Sequence, residues 1–347
     1  MTSILSIGAS LPEFRYTNEN VEKIGIEWLK DKPEQLALFK RFTSSSKISN
    51  RHFILPPSRM LSLNGMAHRA ELFEEHATPL ACDSLEIACQ RQNVSLEDLE
   101  TLVFASCTCP TIPSIDGLIV DKLNLDRNIL RVPIYQHGCA GGVAGLRIAS
   151  ELSKVRGLVS LTSVELCSLV FQKENPTGAQ LVGAAIFADG AASVVLSPEN
   201  TGLVIRDSQS FLIPNTRHLM GYDILDDGPH LRLDRNLPQA LIHTAPHQIK
   251  SFLNKHNLSI EEIDYWLFHP GGSKILDFLE SHLCREPSQS RWSREIFESI
   301  GNLSSTTILF ILDHFLKSNV CQTGDKIVML GIGPGLTIEL ILFEWMK

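Results

Sequence analysis

The stretch VPIYQHGCAGGVAGLRIASEL, residues 132–152, carries the pattern that determines the fold. Its first residues are β-branched or aromatic, which predicts a short strand, and a helical pattern rich in small residues follows directly after Cys139. A cysteine at the start of a helix lies at the positive end of the helix dipole, so its pKa is expected to fall from about 8.5 towards neutrality. The small residues 140–142 leave room for a substrate beside the sulfur. The segment therefore indicates a reactive cysteine, and the alternative is a buried structural thiol.

The rest of the chain alternates between strand and helix patterns, which predicts an α/β fold. Further strands are expected at residues 102–106, 158–163, 191–196, 203–208, 265–268, 326–331 and 337–343, and helices at 144–155, 241–255 and 304–316. A boundary is expected near residues 197–202, which divides the chain into domains 1–200 and 201–347. Each half contains a strand, a glycine-containing turn with a polar residue (Cys139 or Asn302) and a helix. This indicates an internal duplication in which the two turns face each other.

Composition excludes several classes of protein. The 347 residues include 31 basic and 39 acidic side chains, a formal charge of −8, whereas a nucleic-acid-binding protein would show the opposite balance. No apolar run approaches the ~20 residues of a membrane-spanning helix, and the first residues lack the pattern of a signal peptide. We therefore expect a cytoplasmic protein that does not insert stably into membranes and binds no nucleic acid.

The eight cysteines include no CxxC pair and are expected to be reduced thiols. Cys107 and Cys109 form a single CxC, which without a second ligand pair is weak evidence for a metal site. No metal site is therefore predicted.

Two other residues are candidates for chemistry together with Cys139. His269 follows a strand and precedes Pro270-Gly271-Gly272, which would expose the ring at the edge of a sheet; the alternative is a histidine that bonds a loop carbonyl. Asn302 precedes a helix, where the alternative is an ordinary N-cap. Papain-like hydrolases also carry Cys, His and Asn in this order, but their cysteine lies near the mature N-terminus in a CGSCW-type context. The context HGCAGG in mid-chain therefore disfavours a hydrolase.

Seven segments, taken together, resemble the bacterial type III polyketide synthases, relatives of the chalcone synthases with the thiolase fold. They are QHGCAGGVAGLRIA, SVELCSLVFQ, LVGAAIFADGAASVVL, HLMGYDILDDG, HPGGSKILD, GNLSSTTILFILD and GIGPGLTIEL, in family order. The resemblance implies two similar βαβαβ-type halves, a five-layered α-β-α-β-α arrangement and a homodimer.

The resemblance also implies roles for the three candidate residues. Cys139 matches the nucleophile that accepts an acyl group, and His269 and Asn302 match the donors that bind the thioester and enolate oxygens. The substrates implied are acyl-CoA and malonyl-CoA, with an acyl carrier protein as another possible source of acyl groups. No cofactor is implied besides the CoA thioesters.

Further positions match the substrate pocket of the family. Phe187 matches an aromatic gate, and Gly331, Gly333 and Gly335 match the GxGPG turn beside the cavity. Cys107, Ile112, Cys167 and Val170 match positions that line the cavity. Arg51 and Lys47 belong to a basic stretch from which the family binds CoA phosphates, although this stretch could equally be a solvated surface. The chain departs from its relatives at Cys109, Ala188 and Tyr222, and the loop near Cys109 typically reaches towards the partner subunit.

We expect decarboxylative condensation of a fatty acyl starter with malonyl-CoA to give alkylpyrones or alkylresorcinols. One alternative is a single-round or chain-joining ketosynthase, similar to ketoacyl synthase III, that acts on chains held by carrier proteins. A second alternative is a catalytically silent subunit retained for assembly.

Overall fold

A computed structural model describes residues 1–108, 111–174 and 176–347. The strands are β1 (Thr2–Ser10), β2 (Phe14–Thr17), β3 (Asn50–Phe53), β4 (Thr101–Ser106), β5 (Leu130–Tyr135), β6 (Val159–Leu166), β7 (Asp189–Ser197), β8 (Gly202–Leu212), β9 (Met220–Leu225), β10 (Gly228–Leu233), β11 (Tyr265–Phe268), β12 (Lys326–Gly333) and β13 (Thr337–Met346). The helices are α1 (Asn18–Trp28), α2 (Pro33–Ser46), α3 (Pro57–Met60), α4 (Gly65–Arg91), α5 (Asp116–Lys122), α6 (Gly141–Arg156), α7 (Gly178–Ile186), α8 (Leu237–Asn254), α9 (Ser273–Leu283), α10 (Arg291–Ile300) and α11 (Thr307–Lys317). Short 3₁₀ turns at Gly138–Ala140, Cys167–Val170 and Ser304–Thr306 help to form the site.

The strand order reveals the expected duplication. In the first half the order is β1-β7-β6-β4-β5, and in the second it is β8-β13-β12-β11, which repeats the first four positions. The directions repeat as well: β1 to β7 and β7 to β6 are antiparallel and β6 to β4 is parallel, as are the corresponding pairs of the second half. Pairing of β1 with β8 joins the two halves into one nine-stranded sheet.

Alternation along the strands explains the layers. In β4, Val103 and Ala105 belong to a central core, while Leu102 and Phe104 belong to an outer core packed against α4 and α5. Strand β12 alternates in the same way between the central core and a second outer core packed against α8 and α9. Both faces of these strands are buried because helices cover both sides.

Helices α6 and α11 form the middle layer. Leu146 of α6 and Leu309 of α11 are fully buried in the central core, and α6 contacts strands of both halves. The layers are therefore outer helices, first-half strands, α6 with α11, second-half strands and outer helices. This confirms the predicted thiolase fold and its five layers.

The strands predicted from the sequence are present, with ends that differ by a few residues. Two starts differ in a way that matters for the site. Cys139 lies inside a 3₁₀ turn, and α6 begins two residues later at Gly141. The predicted helix 304–316 begins as the 3₁₀ turn Ser304–Thr306, and α11 starts at Thr307.

Glycine residues allow the two central helices to approach each other. A Cβ at Gly142 would lie 2.2 Å from the Ser305 carbonyl oxygen and 2.7 Å from Ile308 Cγ2. Backbone atoms cannot move aside as a flexible side chain can, so this contact requires glycine.

Gly142→Ala should therefore destabilise the protein by about 1–3 kcal/mol, because the added methyl group has to separate α6 from α11. The measurement is the free energy of unfolding in urea. Gly178→Ala is the matched control, since a Cβ there meets no atom within 4 Å. Equal stability of the two variants would contradict the packing argument.

Candidate active site

Cys139 is held by a turn that packs against the second half of the chain. Gly138 adopts a φ of 52°, and a Cβ at this position would lie 2.4 Å from Pro334 Cδ. A side chain here would be strained and would also clash. The loop at residues 331–335 therefore fixes the position of the nucleophile turn from one side.

The thiol of Cys139 is half-buried and faces the turn that precedes α11. Ser304 Oγ lies 3.5 Å from Cys139 Sγ and 3.4 Å from Cys107 Sγ. Ser304 has a φ of 49°, a left-handed conformation that is rare outside glycine, asparagine and aspartate. The predicted facing of the two turns is thus present, and a strained serine links the two sulfurs.

Burial raises the pKa of the Cys139 thiol to about 11, the Ser304 hydrogen bond lowers it, and the Glu165 carboxylate raises it further. The expectation of a pKa lowered towards neutrality was wrong. Cys139 lines a mostly apolar cavity, and loss of hydration there outweighs the effect of the helix end.

His269 directly follows β11, where its backbone N–H donates to the Leu330 carbonyl at 2.9 Å. The side chain is 1% exposed, and neither ring nitrogen has a hydrogen-bond partner among the described residues. Burial lowers the pKa of the imidazole to about 3. The ring is therefore neutral at physiological pH and lines the cavity with a free donor and a free acceptor.

Asn302 has an oriented side-chain amide. Its Oδ1 accepts from the Ser304 backbone N–H at 2.8 Å and from Thr307 Oγ1 at 3.3 Å, and its Nδ2 donates to the Pro270 carbonyl at 3.1 Å. These contacts assign the oxygen and the nitrogen of the amide. One N–H of Nδ2 remains for a ligand in the cavity that Asn302 lines. The side chain caps a turn and also faces the cavity, so the N-cap alternative and the donor role are compatible.

The structure brings the three predicted catalytic residues to one cavity. Its lining also includes two of the predicted pocket residues, Cys107 and Phe187. The rest of the lining is mostly apolar and was not predicted from the sequence. It consists of Gly138, Ile186, Met220, Gly221, Tyr222, Leu231, Leu233, Leu241, Gly271, Ile275, Ser304, Ile332 and Pro334. Tyr222 was noted only as a departure from the family, and Ser304 could have been found from its position two residues after Asn302.

A second, apolar pocket adjoins this cavity, and Phe187 and Leu231 line both. The predicted residues Cys167 and Val170 line this second pocket rather than the Cys139 cavity. The rest of its wall comes from α1, α2, the Phe53–Leu61 region, α7 and residues 168–172, and includes Trp28 and Phe39. None of the described residues that line it is charged.

The glycines of the GxGPG turn have a different role from the one expected. A Cβ at Gly333 would lie 2.6 Å from the His137 carbonyl oxygen, and one at Gly331 would lie 2.8 Å from Val143 Cγ2. Neither glycine lines the cavity, nor does Gly335, whereas Ile332 and Pro334 do. Gly331 and Gly333 let the loop approach the nucleophile turn and the start of α6 instead of a substrate, whereas Gly335 packs beside Leu212 and Thr337.

Three other predicted substrate contacts lie elsewhere. Arg51 is 1% exposed, so its guanidinium cannot meet a CoA phosphate at the surface, and the prediction was wrong for this residue. Lys47 is exposed at the end of α2 and lines neither pocket. Ile112 is 99% exposed and lines neither pocket of this single chain. Cys109, noted as a departure, lies outside the described residues.

A buried carboxylate behind the cavity was not found from the sequence. Glu165 is fully buried, accepts the Cys107 backbone N–H at 3.1 Å and accepts a short hydrogen bond from Ser305 Oγ. Burial raises the pKa of this carboxyl group. The glutamate thus ties strand β6 to the turns that carry Cys107 and Ser304.

In the described part of the chain, no three His, Cys, Asp or Glu side chains form a group that could hold a metal ion. No helix within residues 1–108, 111–174 and 176–347 has the length and apolar character needed to cross a bilayer.

The duplicated halves, with a cysteine turn between the central helices, are those of a thiolase-fold enzyme. Sequence comparison is more specific: the N-terminal domain of chalcone and stilbene synthases matches residues 1–199, and the C-terminal domain matches residues 204–346. The chain therefore belongs to the chalcone and stilbene synthase family, the type III polyketide synthases, which are condensing enzymes of the acyltransferase class.

Individual relatives are similar along most of their length. Phloroglucinol synthase of Pseudomonas fluorescens is 27% identical, with 90% of both chains covered. The 1,3,6,8-tetrahydroxynaphthalene synthase of Streptomyces coelicolor is 27% identical, with 99% of this chain and 92% of the relative covered. The crystal structure of that enzyme, a bacterial type III polyketide synthase, superposes with a TM-score of 0.94 at 26% identity over 99% of each chain.

The buried imidazole predicts how stability depends on pH. Because the His269 pKa is about 3 in the folded state and about 6.5 when unfolded, the unfolded state binds the extra proton between these values. Stability should therefore fall as pH decreases below about 6.5, and this group should contribute about 2 kcal/mol to the loss between pH 7 and pH 5.

His269→Gln should remove that part of the pH dependence, as measured by urea unfolding at pH 7 and pH 5. His314→Gln removes a histidine that is 41% exposed and serves as the control. If the His269 variant lost as much stability on acidification as the control, the buried neutral imidazole would be disproved.

Proposed function

We propose that the protein transfers a fatty acyl group from CoA to Cys139 and extends it by decarboxylative condensation with malonyl-CoA. The observation that carries the proposal is the apolar pocket that shares Phe187 and Leu231 with the cavity of Cys139, His269 and Asn302. An acyl chain bound there could place its thioester carbonyl at the sulfur without exposing methylene groups to water.

The first step is acyl transfer. The neutral His269 accepts the Cys139 proton as the sulfur attacks the thioester, so the thiol need not be ionised before the substrate binds. A carbon–sulfur bond to Cys139 forms, the bond to CoA breaks, and the CoA thiolate leaves with the proton. Donors from His269 and Asn302 stabilise the oxyanion of the intermediate.

The second step is condensation. Malonyl-CoA loses carbon dioxide, and the electron pair of the broken carbon–carbon bond forms an enolate. The enolate oxygen accepts hydrogen bonds from the imidazole of His269 and from Nδ2 of Asn302. The enolate carbon attacks the acyl-Cys139 carbonyl, and the bond between that carbonyl and the sulfur breaks to release the Cys139 thiolate. The acyl chain is then two carbons longer.

The relatives bear the names of small polyhydroxy aromatic products, and none of those names includes an alkyl chain. The apolar character of the second pocket supports an alkyl-bearing product here, an alkylpyrone or alkylresorcinol. CoA thioesters supply all reacting groups, so the proposed reaction needs no further cofactor. A carrier protein could deliver the same thioester.

A homodimer is part of the proposal. The apolar residue Ile112 is 99% exposed in the single chain. A second copy of the chain packed against it would remove this apolar surface from water. The proposal is supported by the family resemblance, in which the loop near Cys109 typically reaches towards the partner subunit.

Asn302→Ala should slow malonyl-CoA decarboxylation by ~10²–10³, because one of two donors to the enolate oxygen is lost. The measurement is release of labelled carbon dioxide from malonyl-CoA.

Cys139→Ala should abolish the acyl adduct that mass spectrometry detects after incubation with acyl-CoA, while Cys284→Ala, outside both pockets, should keep it. An adduct that persists in Cys139→Ala would disprove the nucleophile.

The starter proposal is tested with a series of acyl-CoAs of increasing length plus malonyl-CoA. Apparent affinity should rise with chain length, at up to ~0.8 kcal/mol per buried methylene, until the pocket is filled. Phe187→Ala should shift the preferred length while Cys139 acylation remains; Val155→Ala, at an exposed position, should not. Products built from malonyl units alone, unaffected by added acyl-CoA, would show that the fatty starter is wrong.

A further inference from the structure

Arg51 is a buried cation whose environment calls for an explanation. It lies on β3, is 1% exposed, and forms no ion pair with a carboxylate in the described part of the chain. Its Nη1 donates to the Ala184 carbonyl at 2.5 Å, and its Nε and Nη2 are buried without a hydrogen-bond partner among the described residues. Burying a charge in this way is costly, so a purely space-filling role is a poor explanation.

The surroundings of Arg51 are the carboxyl-terminal ends of two helices. Ala184 belongs to the last turn of α7, and the Arg51 stem lies against Gly301, directly after α10. A Cβ at Gly301 would be 3.2 Å from Arg51 Cγ. Helix carboxyl ends carry partial negative charge, which favours a cation at this place. The Phe53 ring, 5.8 Å from the guanidinium carbon, adds a cation–π contact.

These two helix ends also hold a proposed catalytic residue. The Asn302 backbone N–H donates to the Ile186 carbonyl at 2.8 Å, and the Asn302 carbonyl accepts from the Ala188 N–H at 3.0 Å. Asn302 and Phe187 thereby form a parallel β-bridge. Arg51 lies next to both strands of this bridge: it bonds Ala184, three residues before Phe187, and its stem lies beside Gly301, the residue before Asn302.

We propose that Arg51 is a positioning residue that fixes the backbone of Asn302, and with it the amide donor, by joining the ends of α7 and α10. The inference rests on the proposed function, because it requires Asn302 to act as a donor. Burial lowers the pKa of Arg51 to about 9, in keeping with a cation that has no anionic partner, and the guanidinium remains charged at neutral pH.

The test uses malonyl-CoA decarboxylation as the readout, in single and double variants. Arg51→Met should lower the decarboxylation rate about tenfold, and Arg51→Lys should recover part of it, since an ammonium group retains the charge. Alkylation of Cys139 by iodoacetamide should stay within about twofold in both variants, because Arg51 lines neither pocket and the neighbours described for it, Ala184, Gly301 and Phe53, lie outside the nucleophile turn. The melting temperature reports separately on the loss of packing.

The double variant separates positioning from general structural damage. If Arg51 acts through Asn302, adding Arg51→Met to Asn302→Ala should cost less than twofold more, because the donor to be positioned is already absent. Arg91→Met is the matched control: Arg91 donates to the Ile7 carbonyl and pairs with Asp313, and neither partner lines either pocket. Arg91→Met should change the decarboxylation rate by the same factor whether or not Asn302→Ala is present.

Each outcome decides one claim. A full tenfold loss from Arg51→Met in the Asn302→Ala background would overturn the positioning role of Arg51, as would unchanged decarboxylation in the single variant. Near-normal decarboxylation by Asn302→Ala alone would instead overturn the proposed function.

Discussion

The close approach of the nucleophile turn to the second half of the chain is the contact on which the site depends. A Cβ at Gly138 would be 2.4 Å from Pro334, and one at Gly142 would be 2.2 Å from the Ser305 carbonyl oxygen. Only glycine allows both contacts, so the two central helices start within contact distance of each other. The thiol on one turn and the amide on the other then reach the same cavity without long or mobile side chains. The repeated strand order gives each half an equivalent turn, and small residues allow the two turns to meet.

The electrostatics of the cavity follow from the burial of its titratable groups. Burial raises the pKa of Cys139 to about 11 and lowers that of His269 to about 3, so both groups are neutral at physiological pH. A neutral imidazole can accept a proton from the thiol and later donate a hydrogen bond to an oxyanion. In surroundings this apolar, donors fixed by backbone contacts stabilise charge more strongly than they would in water. The burial that disfavours a resting thiolate therefore also strengthens stabilisation of the charge formed during reaction.

Most strands of the sheet and the three candidate catalytic residues could be predicted from the sequence, because local patterns and motifs encode them. Short β-branched runs predicted the strands on both sides of Cys139, and the motifs around His269 and Asn302 predicted that these residues would share a site. Strand β1 and helix α4 were not predicted, because the first is mixed in polarity and the second lacks a clear apolar stripe. Tertiary geometry decides the rest. The burial of Arg51, the assignment of Cys167 to the second pocket and the packing role of Gly333 depend on contacts between segments far apart in the chain.

Phe187 contacts both pockets and also Asn302, the proposed hydrogen-bond donor. Its side chain lines the cavity of Cys139 and the adjoining apolar pocket, while its backbone bridges to Asn302. The side chain and the backbone thus have separable roles: the side chain lines both pockets, and the backbone holds Asn302. A substitution of the Phe187 side chain would change the boundary between the two pockets and leave the backbone contact with Asn302 in place, whereas a change that bends the end of α7 would disturb both. Under the proposed function, such a separation would allow the range of accepted acyl groups to change while the reaction is kept.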